Sequence, residues 1–155
     1  MINDPVGDWY CDDDYPVLGL NAGWYFTDPN SGRYDIWVGT YSESNNNGRA
    51  ILAISGFSDS SWETDLHLNT FPVLSLSDGF TPDPYSQDAV AGGSSGVTDL
   101  TGGSCATGYF TAQPNYTLNY TSGASELGIY IESDIDTALA IIAPDGNWYC
   151  NDDFN

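Results

Sequence analysis

The chain has 155 residues, of which 41% are hydrophobic and 14% aromatic, which is enough to build the core of one domain and too apolar for a disordered acidic tail. Two basic residues oppose 22 acidic ones, so the formal net charge is −20, which excludes electrostatic binding to nucleic acid or anionic lipid. Divalent cations are the expected charged partners, with a solubility role in a salty or hot medium as the alternative.

The secondary structure expected along the chain is almost wholly β. Runs that are β-branched, aromatic or alternating in polarity are each bounded by Gly, Pro, Asn, Asp or Ser, and no stretch has a convincing helical period. Short strands about ten residues apart are typical of a sandwich or barrel. The predicted strands are 23–26, 33–41, 49–55, 65–76, 115–121, 126–132 and 137–143.

Turns and loops separate these strands. Residues 28–32 and 144–147 combine Pro with Gly or Asn, so each predicts a tight turn. Residues 58–78 differ in sequence character from the repeat-like halves that they separate, and are interpreted as a linker that carries a strand of its own. Gly/Ser-rich stretches at 91–96 and 101–104 are better suited to loops than to a core.

One sequence occurs at both ends of the chain. Residues 4–14 (DPVGDWYCDDD) correspond to residues 143–153 (APDGNWYCNDD), and the two cysteines, Cys11 and Cys150, are 139 residues apart. The first copy precedes strand-like sequence and the second copy follows it. The chain is therefore interpreted as a tandem-repeat protein cut out of phase, and such repeats are usually architectural.

Residues 134–139 and 143–153, followed in the repeat order by 20–21 and 30–39, resemble the bacterial pre-peptidase C-terminal domain. Residues 79–84 look like the start of that domain. The resemblance implies a small jelly-roll-like β-sandwich, found as an accessory module in secreted peptidases and in extracellular repeat proteins. The chain carries the halves of this domain in permuted order.

The resemblance divides the chain into a late half of one sandwich (1–57), a linker (58–78) and the early half of the next sandwich (79–155). The two halves could close on each other within one chain, or each could complete the sandwich of a neighbouring subunit. Self-closure would leave one Trp-Tyr-Cys strand surplus, and a surplus strand is what a strand donor needs.

Cys11, Cys105 and Cys150 permit one internal disulfide. Because Cys11 and Cys150 are equivalent by the repeat, Cys105 is the expected partner of either. The remaining thiol indicates pairing between subunits, truncation of a longer chain, or a buried free Cys. The cysteines and the Lys-free composition favour an extracellular or cell-surface location, with any signal peptide already removed.

Carboxylates cluster next to predicted strands. Hard oxygen ligands gathered at one end of a sandwich suit Ca²⁺, although the pattern fits no EF-hand loop and a solvated acidic turn is the alternative. The candidate ligands are Asp12, Asp13, Asp14, Asp134, Asp136, Asn151, Asp152 and Asp153.

Other candidate sites are fewer. Asn115 and Asn119 each begin an Asn-Tyr-Thr sequon, four residues apart on one predicted strand. Trp62 lies in a polar stretch and is the candidate for stacking on a carbohydrate. The single histidine, His67, lies between leucines, and no catalytic motif accompanies it, so no enzyme activity is expected.

The sequence therefore predicts an all-β, jelly-roll-like sandwich that serves as the structural subunit of an extracellular fibre or repeat array. Copies of the chain would be its partners, joined by exchange of strands or half-domains and stabilised by Ca²⁺ and a disulfide. An accessory module of a secreted peptidase and a carbohydrate-binding module are the alternatives.

Overall fold

The structure is a computed structural model that describes residues 2–3, 9–10, 21–43, 47–57, 73–105 and 108–152, with residues 2–3 and 9–10 described by their backbone alone. Its described strands are β1 (Ile2–Asn3), β2 (Trp9–Tyr10), β3 (Gly23–Phe26), β4 (Gly32–Thr40), β5 (Gly48–Phe57), β6 (Val73–Ser77), β7 (Tyr85–Ala91), β8 (Ser95–Gly96), β9 (Tyr109–Phe110), β10 (Tyr116–Thr121), β11 (Glu126–Glu132), β12 (Thr137–Ile142) and β13 (Trp148–Asn151). One helix, α1 (Val97–Thr101), lies between β8 and β9.

Two sheets form a sandwich, as the all-β prediction requires. The large sheet has the order β13-β12-β4-β10-β6, with β9 beside the end of β4 and β8 beside β9. The small sheet has the order β3-β11-β5-β7. Pairing is antiparallel except between β10 and β6, which run parallel from Thr117 opposite Val73 to Thr121 opposite Ser77.

The core lies between the two sheets and follows the period-two alternation of their strands. Ile36 and Val38 of the large sheet and Leu52 and Ile54 of the small sheet are fully buried in one cluster. Burial of a side chain of this size contributes roughly 1.5–3 kcal/mol before the entropy of ordering it is subtracted.

The two halves of the chain interleave in both sheets. In the large sheet, β4 lies between β12 and β10, and in the small sheet β11 lies between β3 and β5. Residues before and after the linker therefore share one core in a single chain.

A second, smaller core covers the outer face of the large sheet. Val97 and Leu100 of α1 pack there with Trp37 and Phe110, and the cluster includes both cysteines of a disulfide. The Gly/Ser composition of this region predicted only loops. The helix forms because tertiary burial of Val97 and a left-handed C-terminal cap at Gly102 (φ 63°) outweigh weak local propensity.

Strand β7 was also missed by the sequence analysis. Its inward positions are Tyr85, Gln87, Ala89 and Ala91, which lack the β-branched residues on which a strand prediction depends. Seven register pairs with β5, from Gly48 opposite Ala91 to Ile54 opposite Tyr85, hold it in the small sheet. Strand β6 lies within 58–78, the segment interpreted as a linker that carries a strand of its own, and overlaps the predicted strand 65–76.

Candidate functional site

The repeated Trp-Tyr-Cys sequence near the end of the chain forms β13, at one edge of the large sheet. It pairs antiparallel with β12, with Trp148 opposite Ile142 and Asn151 opposite Leu139. Among the described strands, β13 pairs with β12 alone. We call the position of β13 against β12, with the side chains that contact it, the β13 slot.

Trp148 and Cys150 point to the outer face of the large sheet. The Trp148 ring lies 5.0 Å from the ring of Trp37, centroid to centroid. Cys150 forms a disulfide with Cys105, and their Cα atoms are 6.0 Å apart. Trp37 is 6% exposed and is buried in the outer cluster rather than between the sheets.

Tyr149 points the other way, into the main core. Its ring lies 5.3 Å from Trp24 and 4.9 Å from Phe26, both of which belong to the small sheet. Such aromatic pairs contribute roughly 0.5–1.5 kcal/mol each beyond simple burial. Desolvation, together with the hydrogen bond to Asp145, raises the pKa of Tyr149 to about 12, so the phenol stays neutral at physiological pH.

The Asp145 carboxylate holds the turn that leads into β13 by three hydrogen bonds, which we call the Asp145 bracket. The carboxylate accepts hydrogen bonds from the Asn147 backbone N–H (2.9 Å), the Asn147 side-chain amide (3.0 Å) and the Tyr149 hydroxyl (2.7 Å). Desolvation raises the pKa of Asp145, but these hydrogen bonds outweigh it and the net shift is downward. Gly146 supplies the positive φ of the turn (83°), as the sequence predicted.

The described part of the other copy, Trp9 and Tyr10, belongs to neither sheet of the sandwich. Trp9 and Tyr10 form β2, which pairs with β1 in a separate two-stranded sheet, with Asn3 opposite Trp9 and Ile2 opposite Tyr10. One copy is therefore built into the sandwich, whereas the Trp-Tyr of the other pairs elsewhere. Cys11 lies outside the described residues.

The predicted calcium ligands are only partly described. Desolvation raises the pKa of Asp136, and the negative charge of Asp152 adds to the shift. Asn151 ends β13 beside Asp152, and Asp134 is exposed. Asp12, Asp13, Asp14 and Asp153 lie outside the described residues. Within the described ranges, no three acidic, His or Cys residues form a group that could hold a metal ion.

The two sequons differ in environment. The Asn115 side chain accepts a hydrogen bond from the Val38 N–H (2.8 Å) and donates one to the Val90 carbonyl (3.2 Å). Asn119 is exposed on β10. The amide nitrogen that a glycan would occupy is therefore already engaged at Asn115.

Trp62 and His67 lie outside the described residues, so the structure does not bear on carbohydrate binding at Trp62. The sequence analysis did not connect Trp24, Phe26 and Asp145 with the repeated strand. The available signals were the aromatic residues at alternate positions of β3 and the Asp-Gly-Asn turn before Trp148.

No protein-family model, curated protein or solved structure matches this chain. None of the helical residues that the structure describes belongs to a stretch long and apolar enough to cross a membrane.

Proposed function

We propose that this protein is the structural subunit of an extracellular fibre or repeat array, assembled head-to-tail by strand exchange. The observation that carries the proposal is that the chain encodes the same edge strand twice and one sandwich has one place for it. The Trp-Tyr of the other copy pairs outside the sandwich. The proposal assigns the chain no catalytic role.

The position of the repeat favours a polymer over a closed dimer. A donor at one end of the chain and an acceptor edge elsewhere form a heterologous contact, and repetition of a contact that does not close produces a filament. An added strand gains ladder hydrogen bonds and pockets for alternate side chains. The Cys105–Cys150 disulfide agrees with the oxidising compartment that an extracellular fibre occupies.

The strong negative charge of the chain is the reason that the proposal includes a divalent cation between copies. Copies with a net charge of −20 repel each other, and a divalent ion between carboxylates relieves that repulsion. Asp136 and Asp152 are two described carboxylates whose negative charges repel each other. Calcium binding at this end of the sandwich stays a prediction from the sequence.

The second candidate is a monomeric accessory module of a secreted peptidase, as the resemblance to the pre-peptidase C-terminal domain implies. The observation that favours it is that both halves of one chain share a single core. Reading the gene on both sides of this segment distinguishes the candidates, because an accessory module requires an adjoining peptidase domain.

The test is negative-stain electron microscopy of the full chain and of a variant that lacks residues 1–14, each with calcium and with a chelator. We expect filaments from the full chain that fray on chelation, and single particles from the truncated chain. Circular dichroism should show the same β content in both, because β3 to β13 are retained. Single particles from the full chain in both conditions, or filaments from the truncated chain, would contradict strand donation.

A further inference from the structure

We propose that the β13 slot of one copy accepts residues 4–14 of a second copy, and that Cys11 of the incoming segment then replaces Cys150 as the partner of Cys105. This inference rests on the proposed function, because it names the acceptor site and the covalent bond of the joint. Its product is a polymer in which successive copies are linked by disulfides.

The contacts of β13 specify which segments fit the slot. Trp148 packs on Trp37, Tyr149 packs between Trp24 and Phe26, and Cys150 bonds to Cys105. The repeat aligns Trp9, Tyr10 and Cys11 with these three side chains in the same order. It also aligns Gly7 with Gly146, whose φ of 83° an ordinary residue would adopt only with strain.

The place of β13 at the edge of the large sheet limits what its replacement disturbs: of its side chains, Tyr149 alone packs on the main core. Strand β13 is an edge strand that pairs with β12 alone among the described strands, and all four of its residues are only half-buried. The incoming segment restores the ladder and the three anchoring side chains, so the exchange replaces these contacts of β13 with equivalent ones.

The covalent step needs no oxidant. The Cys11 thiolate attacks the Sγ atom of Cys105, a Cys11–Cys105 bond forms, and the Cys105–Cys150 bond breaks. Cys150 leaves as a thiolate and takes up the proton that Cys11 lost. One disulfide and one thiol are present before and after the step.

The copies differ where the turn enters the strand, and this difference explains which copy occupies the slot. Asp145 accepts three hydrogen bonds within its own copy, whereas the first copy has Val6 at that position and Asp8 in place of Asn147. The resident copy therefore retains a bracket that the incoming copy lacks. Removal of the bracket should increase exchange between chains.

The test uses Asp145→Val, which gives the second copy the residue of the first and leaves all three cysteines in place. Isotope-labelled and unlabelled chains are mixed in a glutathione buffer, quenched by alkylation and mapped by mass spectrometry for Cys11–Cys105 peptides that join a labelled to an unlabelled chain. We expect such peptides in the native protein and about tenfold more of them in Asp145→Val, the change that loss of hydrogen bonds worth roughly 1.4 kcal/mol produces.

Two controls separate slot occupancy from random thiol exchange. Asp145→Val combined with Trp9→Ala keeps every thiol but removes the anchor that replaces Trp148, so linkage should fall below that of Asp145→Val alone. Asp145→Val combined with Cys11→Ser should give no linkage to Cys105 from another chain. Equal linkage with and without Trp9, or cross-links between Cys11 residues only, would overturn the inference.

The outcomes also separate this inference from the proposed function. Filaments from the full chain without Cys11–Cys105 peptides between chains would overturn the inference and leave the fibre proposal standing. Linkage between chains that depends on Trp9, in a protein that forms no filaments, would support the slot and contradict the fibre.

Discussion

At the scale of single residues, the Asn115 side chain takes the place of a neighbouring strand beside Val38 of β4. Strand β10 pairs with β4 from Gly32 to Ile36, and β9 pairs with β4 at Thr40. Between them, the Val38 N–H donates to the Asn115 side chain, and the Val38 carbonyl accepts from the Gly92 N–H (3.2 Å). The side chain thus satisfies a backbone donor that no neighbouring strand reaches.

Asn115→Ala should lower the free energy of unfolding by about 1–3 kcal/mol, because it leaves the Val38 N–H and the Val90 carbonyl without this partner. Urea denaturation measures the loss. Asn119→Ala, the matched change at the other sequon, removes an exposed side chain and should stay within about 0.5 kcal/mol of the native protein. Equal losses in the two variants would show that the two hydrogen bonds of the Asn115 side chain do not stabilise the fold.

At the scale of elements, the segment from Gly92 to Phe110 determines what the outer face of the large sheet contacts. Its helix and β9 place Phe110, which is fully buried, over Gly39 of β4. A Cβ atom added at Gly39 would lie 2.7 Å from the Tyr109 carbonyl oxygen and would overlap the Phe110 ring. The small residue in β4 is therefore what lets this segment lie flat on the sheet.

Gly39→Ala should destabilise the protein by about 1–3 kcal/mol, because backbone and a buried ring both have to move. Thermal unfolding followed by near-ultraviolet circular dichroism is a suitable measurement, since Trp37 and Trp148 lie in the same cluster. Gly96→Ala is the control, because its φ is −63° and its added Cβ would come no closer than 4.0 Å to the nearest neighbour. A neutral Gly39→Ala would contradict the packing described here.

At the scale of the whole molecule, charge and the burial of ionisable groups together determine how stability depends on pH. Desolvation raises the pKa of Glu132 and of Asp136, so the stability they contribute is present at low pH and is lost as pH rises through their folded-state pKa values. The pKa of Asp78 is lowered, mainly by a hydrogen bond from Ser125. The pKa of Asp145 is lowered by the hydrogen bonds that it accepts from Asn147 and Tyr149. Their contribution is lost only as pH falls below the ordinary value of 3.8.

The melting temperature should therefore be highest in mildly acidic buffer and lower at about pH 8. Added salt should raise it more at the higher pH, where the net charge of −20 is fully developed. Calorimetry over a grid of pH and NaCl concentration tests both statements. A melting temperature that increases from pH 5 to pH 8 in dilute buffer would contradict them.

Much of the fold can be predicted from local sequence. Alternating apolar residues indicate β4, β5, β11 and β12, and the turn at 144–147 follows from its Pro, Gly and Asn. Strand β7 and helix α1 could not be predicted this way. Ala does not favour a strand in β7, and Val, Thr and Asp are weak helix formers in α1. These elements form because neighbouring strands and the outer cluster bury them.

The sequence alone established that the chain is all-β, that its terminal segments are copies, and that Cys105 has two equivalent candidate partners, Cys11 and Cys150. Only the tertiary structure decided that the second copy lies in the sandwich and that Cys150 bonds to Cys105. The physical reason is that near-identical segments have nearly identical local preferences. The two copies differ where the turn enters the strand: Asp145 makes three hydrogen bonds in the second copy, which Val6 at the matching position cannot make.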